Sequence, residues 1–297
     1  MSKGKLYNLR RKLQVLAYDL TSPEFVSKIY FRLLLKYPLN LKNPQTFNEK
    51  IQWLKLYKWP NDPLVIQCAD KYRVRQYLEE KGMDNYLNTL LGVWDNANDI
   101  DFDKLPNRFA LKCTHGARYN IICDNKTQLD IKNTRKKINT WLKEDFGKFN
   151  AEPHYSKMKP RVIAEQFLDD GNGDLTDYKF YCFHGKVQFM YISKGLGKRI
   201  NMSITFFDAN GNLAPYHRTD FQADPNVKIP STFGKMKNLS EILASPFPFV
   251  RVDWFEVNGK IYFGELTFTP CGGLMGITPL SYDKKLGTLL ELPDKKL

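Results

Sequence analysis

Asp253 and Glu265 stand in a stretch, residues 247–273, that otherwise reads as two apolar strands around a bend at Asn258-Gly259-Lys260. Asn-Gly between such runs is a strong hairpin signal. Carboxylates among Val, Trp, Phe and Tyr are costly to bury unless a cation meets them. Arg251, Asp253 and Phe255 share one face of the first arm, and Glu265 and Thr267 share one face of the second. The hairpin can therefore gather Asp253, Glu265 and Thr267 on one side, with Arg251 nearby. Two carboxylates completed by phosphate oxygens are the hard-oxygen set that Mg2+ prefers. A structural salt bridge to a lysine is the competing reading. "TPCGG", residues 269–273, then supplies a turn where backbone can approach a ligand.

A second group of candidates lies upstream. "FALKC" and "YNIIC" flank a short polar loop, Thr114-His115-Gly116-Ala117-Arg118. A strand–loop–strand of this kind can fold over phosphates, with backbone N–H groups and Arg118 as donors and Lys112 reaching from the strand. An ordinary hairpin turn has the same letters. Next, "RVIAEQFLDD" runs from a strand into Glu165, Gln166, Phe167 and Leu168, an extended segment whose backbone can pair with an adenine edge. The acidic loop "DDGNGDLTD" follows, with carboxylates that can accept from ribose hydroxyls. Lys179, inside "YKFYCF", points away from Tyr178 and Phe180. It needs an anion, or else water at a sheet edge.

The order of these pieces resembles the ATP-grasp superfamily: a strand lysine with its phosphate loop, a hinge, a second lysine, then an acid followed by a Glu-x-Asn-like element. "FNEKIQWLKLY", "CADKYRVRQYL", "LPNRFALKCTHG" and "GELTFTPCGG" are similar to its TupA-like branch, associated with teichuronopeptide and other cell-surface polysaccharide synthesis, over roughly residues 30–295. The resemblance implies that Lys112 and Lys179 contact ATP phosphates, helped by His115, Gly116 and Arg118. It implies an adenine hinge at Glu165, Gln166, Phe167 and Leu168, with Asp177 by the adenine or ribose. Mg2+ would sit on Asp253 and Glu265, with Thr267 in the place of the usual Asn. The implied activity is an ATP-dependent carboxylate–amine ligase acting through an acyl phosphate, with Arg251 and Lys179 taking up developing charge. Its acceptor would be an acidic glycan or uronate, and its donor an amino acid or other amine. A sugar or glycan kinase would use the same ATP site. A glycosyltransferase would instead use the acids of Asp101-Phe102-Asp103 to hold a nucleotide-sugar metal, and a basic binding module would leave Asp253 and Glu265 unexplained.

The elements that must position these residues read as α+β. Residues 1–90 are mostly helical and basic, residues 91–168 form a first lobe with loop and hinge, and residues 169–297 form a second lobe with the metal site. "NPQTFNEKIQWLKLY" is a helix capped at Thr46 or Asn48, and "DPLVIQCADKYRVRQYLEEKGM" a longer one stopped by Gly82. Strand character begins at "LPNRFALKC". The implied fold is two α+β lobes with antiparallel sheets gripping ATP.

At 297 residues with 42% hydrophobic and 14% aromatic content, the chain has the material for a sizeable core. No apolar run approaches the length of a membrane-spanning helix. The formal charge is +13, and nine of those excess charges lie in the first 60 residues. That favours anionic partners; no nucleic-acid motif accompanies it. Leu9, Leu13, Leu16 and Leu20 recur at helical spacing beside Arg10, Arg11 and Lys12. This helix is a candidate for peripheral membrane contact, or for docking onto its own domain. Five scattered cysteines read as reduced thiols, and the four histidines give no zinc pattern. The expected location is cytoplasmic, at the inner face of the membrane if that helix binds lipid.

Overall fold

A computed structural model of the chain describes residues 3–171, 175–195 and 202–294; the middle of the acidic loop, residues 172–174, lies outside them. Helices α1 (Lys3–Leu20), α2 (Pro23–Leu35), α3 (Phe47–Tyr57), α4 (Pro63–Ala69) and α5 (Val74–Glu80) come first. The next elements are β1 (Leu90–Trp94), β2 (Phe109–Cys113), β3 (Asn120–Cys123), α6 (Ile131–Leu142), α7 (Phe146–Phe149) and β4 (Val162–Gln166). Then follow β5 (Asp177–Phe183), β6 (Lys186–Lys194), β7 (Ser203–Asp208), β8 (His217–Arg218), α8 (Phe233–Ala244), β9 (Phe249–Val257), β10 (Lys260–Thr267), β11 (Ile277–Thr278) and α9 (Leu280–Thr288). The fold is α+β, with two main antiparallel sheets and a two-stranded pair, β8 with β11. The smaller main sheet has strand order β1-β4-β2-β3 and the larger β10-β9-β5-β6-β7. Strand structure begins earlier than the sequence pattern shows, because β1 pairs with β4 while half-buried at every position, which leaves no alternation to read.

One face of the larger sheet lies under α8: Phe180 stacks on Phe233, and the Trp254 indole donates to Ser240 Oγ at 2.7 Å. The other face is divided. At one end Phe183 and Phe249 pack on Phe47 of α3, with ring centroids 5.6 and 5.4 Å away. At the other end the same face carries Asp177, Lys179, Arg251 and Asp253, of which Lys179 and Asp253 are direct partners across β5 and β9.

Helix α3 begins at a capping box, Thr46 accepting from the Glu49 amide and Glu49 from the Thr46 amide. It is buried on nearly all sides and belongs to the larger lobe. Its polar residues hold the chain that follows β10: Asn48 exchanges bonds with both backbone groups of Met275, and Gln52 donates to the carbonyls of Gly272 and Gly273.

The long helix expected over residues 62–83 is two helices. Asp70 Oδ1 accepts from the amides of Tyr72 and Arg73 at 2.8 and 3.0 Å, a side-chain turn that competes with helix. The Lys71 amide bonds the Thr114 carbonyl across the chain.

Helix α9 meets the α3 cap so closely that a Cβ on Gly287 would lie 2.1 Å from the Gln45 carbonyl oxygen. Gly287→Ala is therefore expected to destabilise the protein by about 1–3 kcal/mol through overpacking against backbone. Chemical denaturation checks this.

Candidate active site

The hairpin turns at Asn258 and Gly259, both in the left-handed region, with Val257 opposite Lys260. Continued regularly, this register would put Gly264 opposite Asp253 and Glu265 on the other face. A bulge at Gly264 intervenes, and Glu265 pairs with Asp253 instead. Glycine suits the place, since a Cβ there would lie 3.0 Å from the Asp253 carbonyl oxygen.

The bulge assembles an alternating chain of charge. Arg251 donates to both Asp253 oxygens at 2.6 Å, and to Glu265 Oε1 and Thr267 Oγ1 at 3.0 Å. Lys179 lies 2.6 Å from Asp253 Oδ2 and 3.1 Å from Asp177 Oδ1. The Thr267 hydroxyl donates to Glu265 Oε1 at 2.9 Å. Asp253 is 2% exposed and Glu265 36%. Lys179 sits on a central strand, flanked by β6 and β9, so the edge-strand reading of it is overturned. Asp177 stands beside Lys179 and accepts from Ser193 Oγ at 3.2 Å.

The smaller sheet presents a second cluster. Lys112 and Glu165 are diagonal neighbours on adjacent strands, 2.6 Å apart, and Arg75 approaches the other Glu165 oxygen at 3.6 Å. Glu165 thus lies within β4 as a buried ion-pair partner. Gln166 already spends its amide on the Thr89 carbonyl and its carbonyl on Asn88. Irregular chain starts at Phe167, whose ring lies 4.0 Å under the Arg108 guanidinium, and runs on through half-buried Leu168.

Lys71, which sequence reasoning did not single out, joins the clusters. Its ammonium donates to the Gly116 carbonyl at 2.7 Å and lies 3.5 Å from Glu265 Oε2. The visible signal was "CADKYRVRQ", where Asp70 before Lys71 marks a turn. In the loop, Gly116 packs against Phe146 and Arg118 is exposed at positive φ. His115 turns inward instead of toward the loop mouth: it is buried, and its Nε2–H donates to the Trp141 carbonyl at 3.1 Å. Its small polar neighbours gave no sign that the imidazole would be core. Asp101 pairs with Lys104 at 3.3 Å and accepts from the Asp103 amide at 3.1 Å, so this acidic pair is a surface turn.

Burial opposes the Glu265 charge, but Lys71, Arg251 and Lys179 outweigh it and hold the carboxyl at about 2. Burial likewise opposes the Lys179 ammonium, and Asp177 and Asp253 outweigh it and raise its pKa. Beneath the turn after β10, buried Lys55 donates to the carbonyls of Asn150 and Gly272, both at 3.2 Å. Burial pulls its pKa down to about 8 against the opposing charge of Glu152. Glu152 accepts from the Thr269 hydroxyl, so the turn is held from below.

Two lobes with antiparallel sheets, one carrying a lysine beside a glycine-containing loop and the other an Arg-Asp-Glu face, define the ATP-grasp class. The TupA-like ATP-grasp family model matches residues 49–291, and the chain belongs to that family. Among solved structures, the D-alanine–D-alanine ligase of Helicobacter pylori is similar at 15% identity and a TM-score of 0.46, over 83% of this chain and 69% of that one. The ligase of the same title from Bacillus anthracis, complexed with ATP, gives 12% and 0.43 over 68% and 55%. The ATP-grasp ligase PsnB, complexed with minimal precursor, Mg and ADP, gives 13% and 0.39 over 74% and 57%. The chain thus spans little more than half the length of the last two. No curated protein matches in sequence.

Because its pKa is depressed, Glu265 contributes stability that is full above its ordinary value of 4.5 and is lost as pH falls through about 2. Lys71→Met removes the largest favourable charge. It is expected to raise the Glu265 pKa toward 4.5, read by carboxyl-carbon NMR titration of labelled protein.

Proposed function

We propose that the chain is an ATP-dependent, ADP-forming carboxylate–amine ligase. The observation that carries this reading is the alternating chain of charge Asp177–Lys179–Asp253–Arg251–Glu265–Lys71, whose Lys71 end meets the Gly116 loop. This chain of charge is balanced, while Lys112 and Arg75 oppose Glu165 with one positive charge in excess. Triphosphate oxygens would compete with the carboxylates for these cations, and the released carboxylate oxygens would face a metal.

The donor set fits Mg2+: Asp253, Glu265 and the Thr267 hydroxyl offer oxygen alone, with phosphate oxygens to complete the shell. When bound, Mg2+ would supply charge stabilisation on the phosphoryl group in transfer. The chain's own residues would do the rest by positioning and electrostatics. Lys112 would hold the inner phosphates, and Arg251 and Lys179 would meet the charge developing on the γ-phosphoryl group. The backbone from Phe167 onward would face the adenine edge. An acceptor carboxylate oxygen attacks the γ-phosphorus, and the bond to the β-phosphate oxygen breaks, giving ADP and an acyl phosphate. An amine then attacks the acyl carbon and loses a proton, inorganic phosphate leaves, and an amide remains. We assign the acceptor as a uronate of a cell-surface polysaccharide or its precursor, and the donor as an amino acid or other amine. The basic surface suits such an acidic acceptor.

Mg2+ and ATP at about a hundredfold over their Kd should stabilise the wild type by ~2.7 kcal/mol, and Glu265→Gln should lose most of that gain. Thermal melts read both, and no shift with any nucleotide removes the ATP site. With a uronate and hydroxylamine as the trapping amine, the expected product is a hydroxamate formed with ADP and phosphate. A phosphorylated sugar with ADP would make the protein a kinase instead.

A further inference from the structure

Helix α1 sits on the protein the wrong way round for an ordinary surface helix. Leu9, Leu13, Leu16 and Leu20 form one stripe and are 47–74% exposed. The inward stripe holds Arg11, Gln14 and Tyr18 together with Val15. Gln14 is 8% exposed and donates to the Phe149 carbonyl at 3.0 Å and the Tyr30 hydroxyl at 3.3 Å. The Arg11 guanidinium lies 3.7 Å over the Phe149 ring, and Lys148 pairs with Asp19 at 2.7 Å. The leucines therefore do not dock onto their own domain, as one reading of their spacing allowed.

The neighbouring helix α2 also exposes Phe25, Ile29, Leu33 and Leu34, at 41–61%. Nine of the fifteen exposed large hydrophobic side chains among the described residues lie on these two helices. A concentration of this kind marks an interaction surface rather than scattered surface apolarity. Its border is cationic: Arg10, Lys12, Arg32 and Lys36 are all exposed. The two acids of the segment are neutralised, Asp19 by Lys148 and Glu24 by Lys28 at 2.6 Å.

We propose that the outward face of α1 and α2 docks in the plane of an anionic lipid surface, with the apolar side chains at the acyl boundary and the bordering cations among the headgroups. An apolar stripe edged by Lys and Arg is the pattern that binds such an interface. A second copy of the chain fits less well, because a two-fold contact through this face would bring its cations against their own images. The face lies on the loop side of the smaller lobe: α1 rests on Phe149, Phe149 packs on Phe146, and Phe146 underlies Gly116. The inference goes beyond the catalytic reading and does not depend on it.

Co-sedimentation of the full chain with phosphatidylcholine vesicles, with and without phosphatidylglycerol, tests it. The wild type is expected to bind the anionic vesicles and to release them as salt rises. Leu13→Ser with Leu16→Ser, and separately Leu33→Ser with Leu34→Ser, should each weaken binding at least about tenfold, since affinity follows buried apolar area. Unchanged circular dichroism and melting temperature show that these exposed substitutions leave the fold intact. Equal binding to both vesicle types, no binding to either, or full binding by both variants overturns the proposal. A lipid-indifferent dimer that the same variants convert to monomer would assign the face to a second copy instead.

Discussion

The pair of Arg251 and Asp253 is the interaction on which the rest depends. Both side chains are nearly fully buried, at 8% and 2% exposure. Taking two charges out of water costs several kcal/mol per ion, which their attraction offsets only when the remaining donors and acceptors are also met. They are met here: Lys179 takes the second side of Asp253, and Glu265 and Thr267 take the outer edge of the guanidinium. The neighbours come from the two flanking strands, Lys179 from β5 and Glu265 and Thr267 from β10, so the pair is stable only in the assembled sheet. A half-satisfied version would be worse than an apolar one.

The sheet can carry this load because its site face is divided lengthwise. The end near Phe183 and Phe249 is closed by Phe47 and the rest of α3. The ionic end is left facing the smaller lobe. The cap that starts α3 therefore bears on the site at a distance. It fixes the helix whose Asn48, Gln52 and Lys55 hold the turn after Thr267.

Lys71 ties the second sheet to the first. A continuous helix through residues 62–83 would carry it around with the helical period. The Asp70 turn breaks that period, and Lys71 meets the Gly116 carbonyl and Glu265 together. A loop from one lobe and a carboxylate from the other thus share one ammonium.

Much of this was legible in the sequence. Local signals with a physical cause gave the hairpin, a helix cap at Thr46 or Asn48, of which the structure uses Thr46, and the lysine facing out of an aromatic strand; the resemblance gave the order of motifs that marks the family. What only the tertiary structure decided were matters of pairing between distant segments. The Gly264 bulge, which a regular two-residue hairpin does not predict, puts Glu265 on the face of Asp253, and a slip of one residue would reverse it. The break at Asp70 aims Lys71, and it depends on Thr114, far away in sequence, accepting its amide. His115 went to the core and Glu165 to Lys112 because burial and register assigned their partners. The α1 leucines read the same whether they face protein or solvent, since periodicity finds a stripe but not which way it points. Sequence fixes propensity and period locally; which groups meet is set by contacts whose strength exists only once the chain has closed on itself.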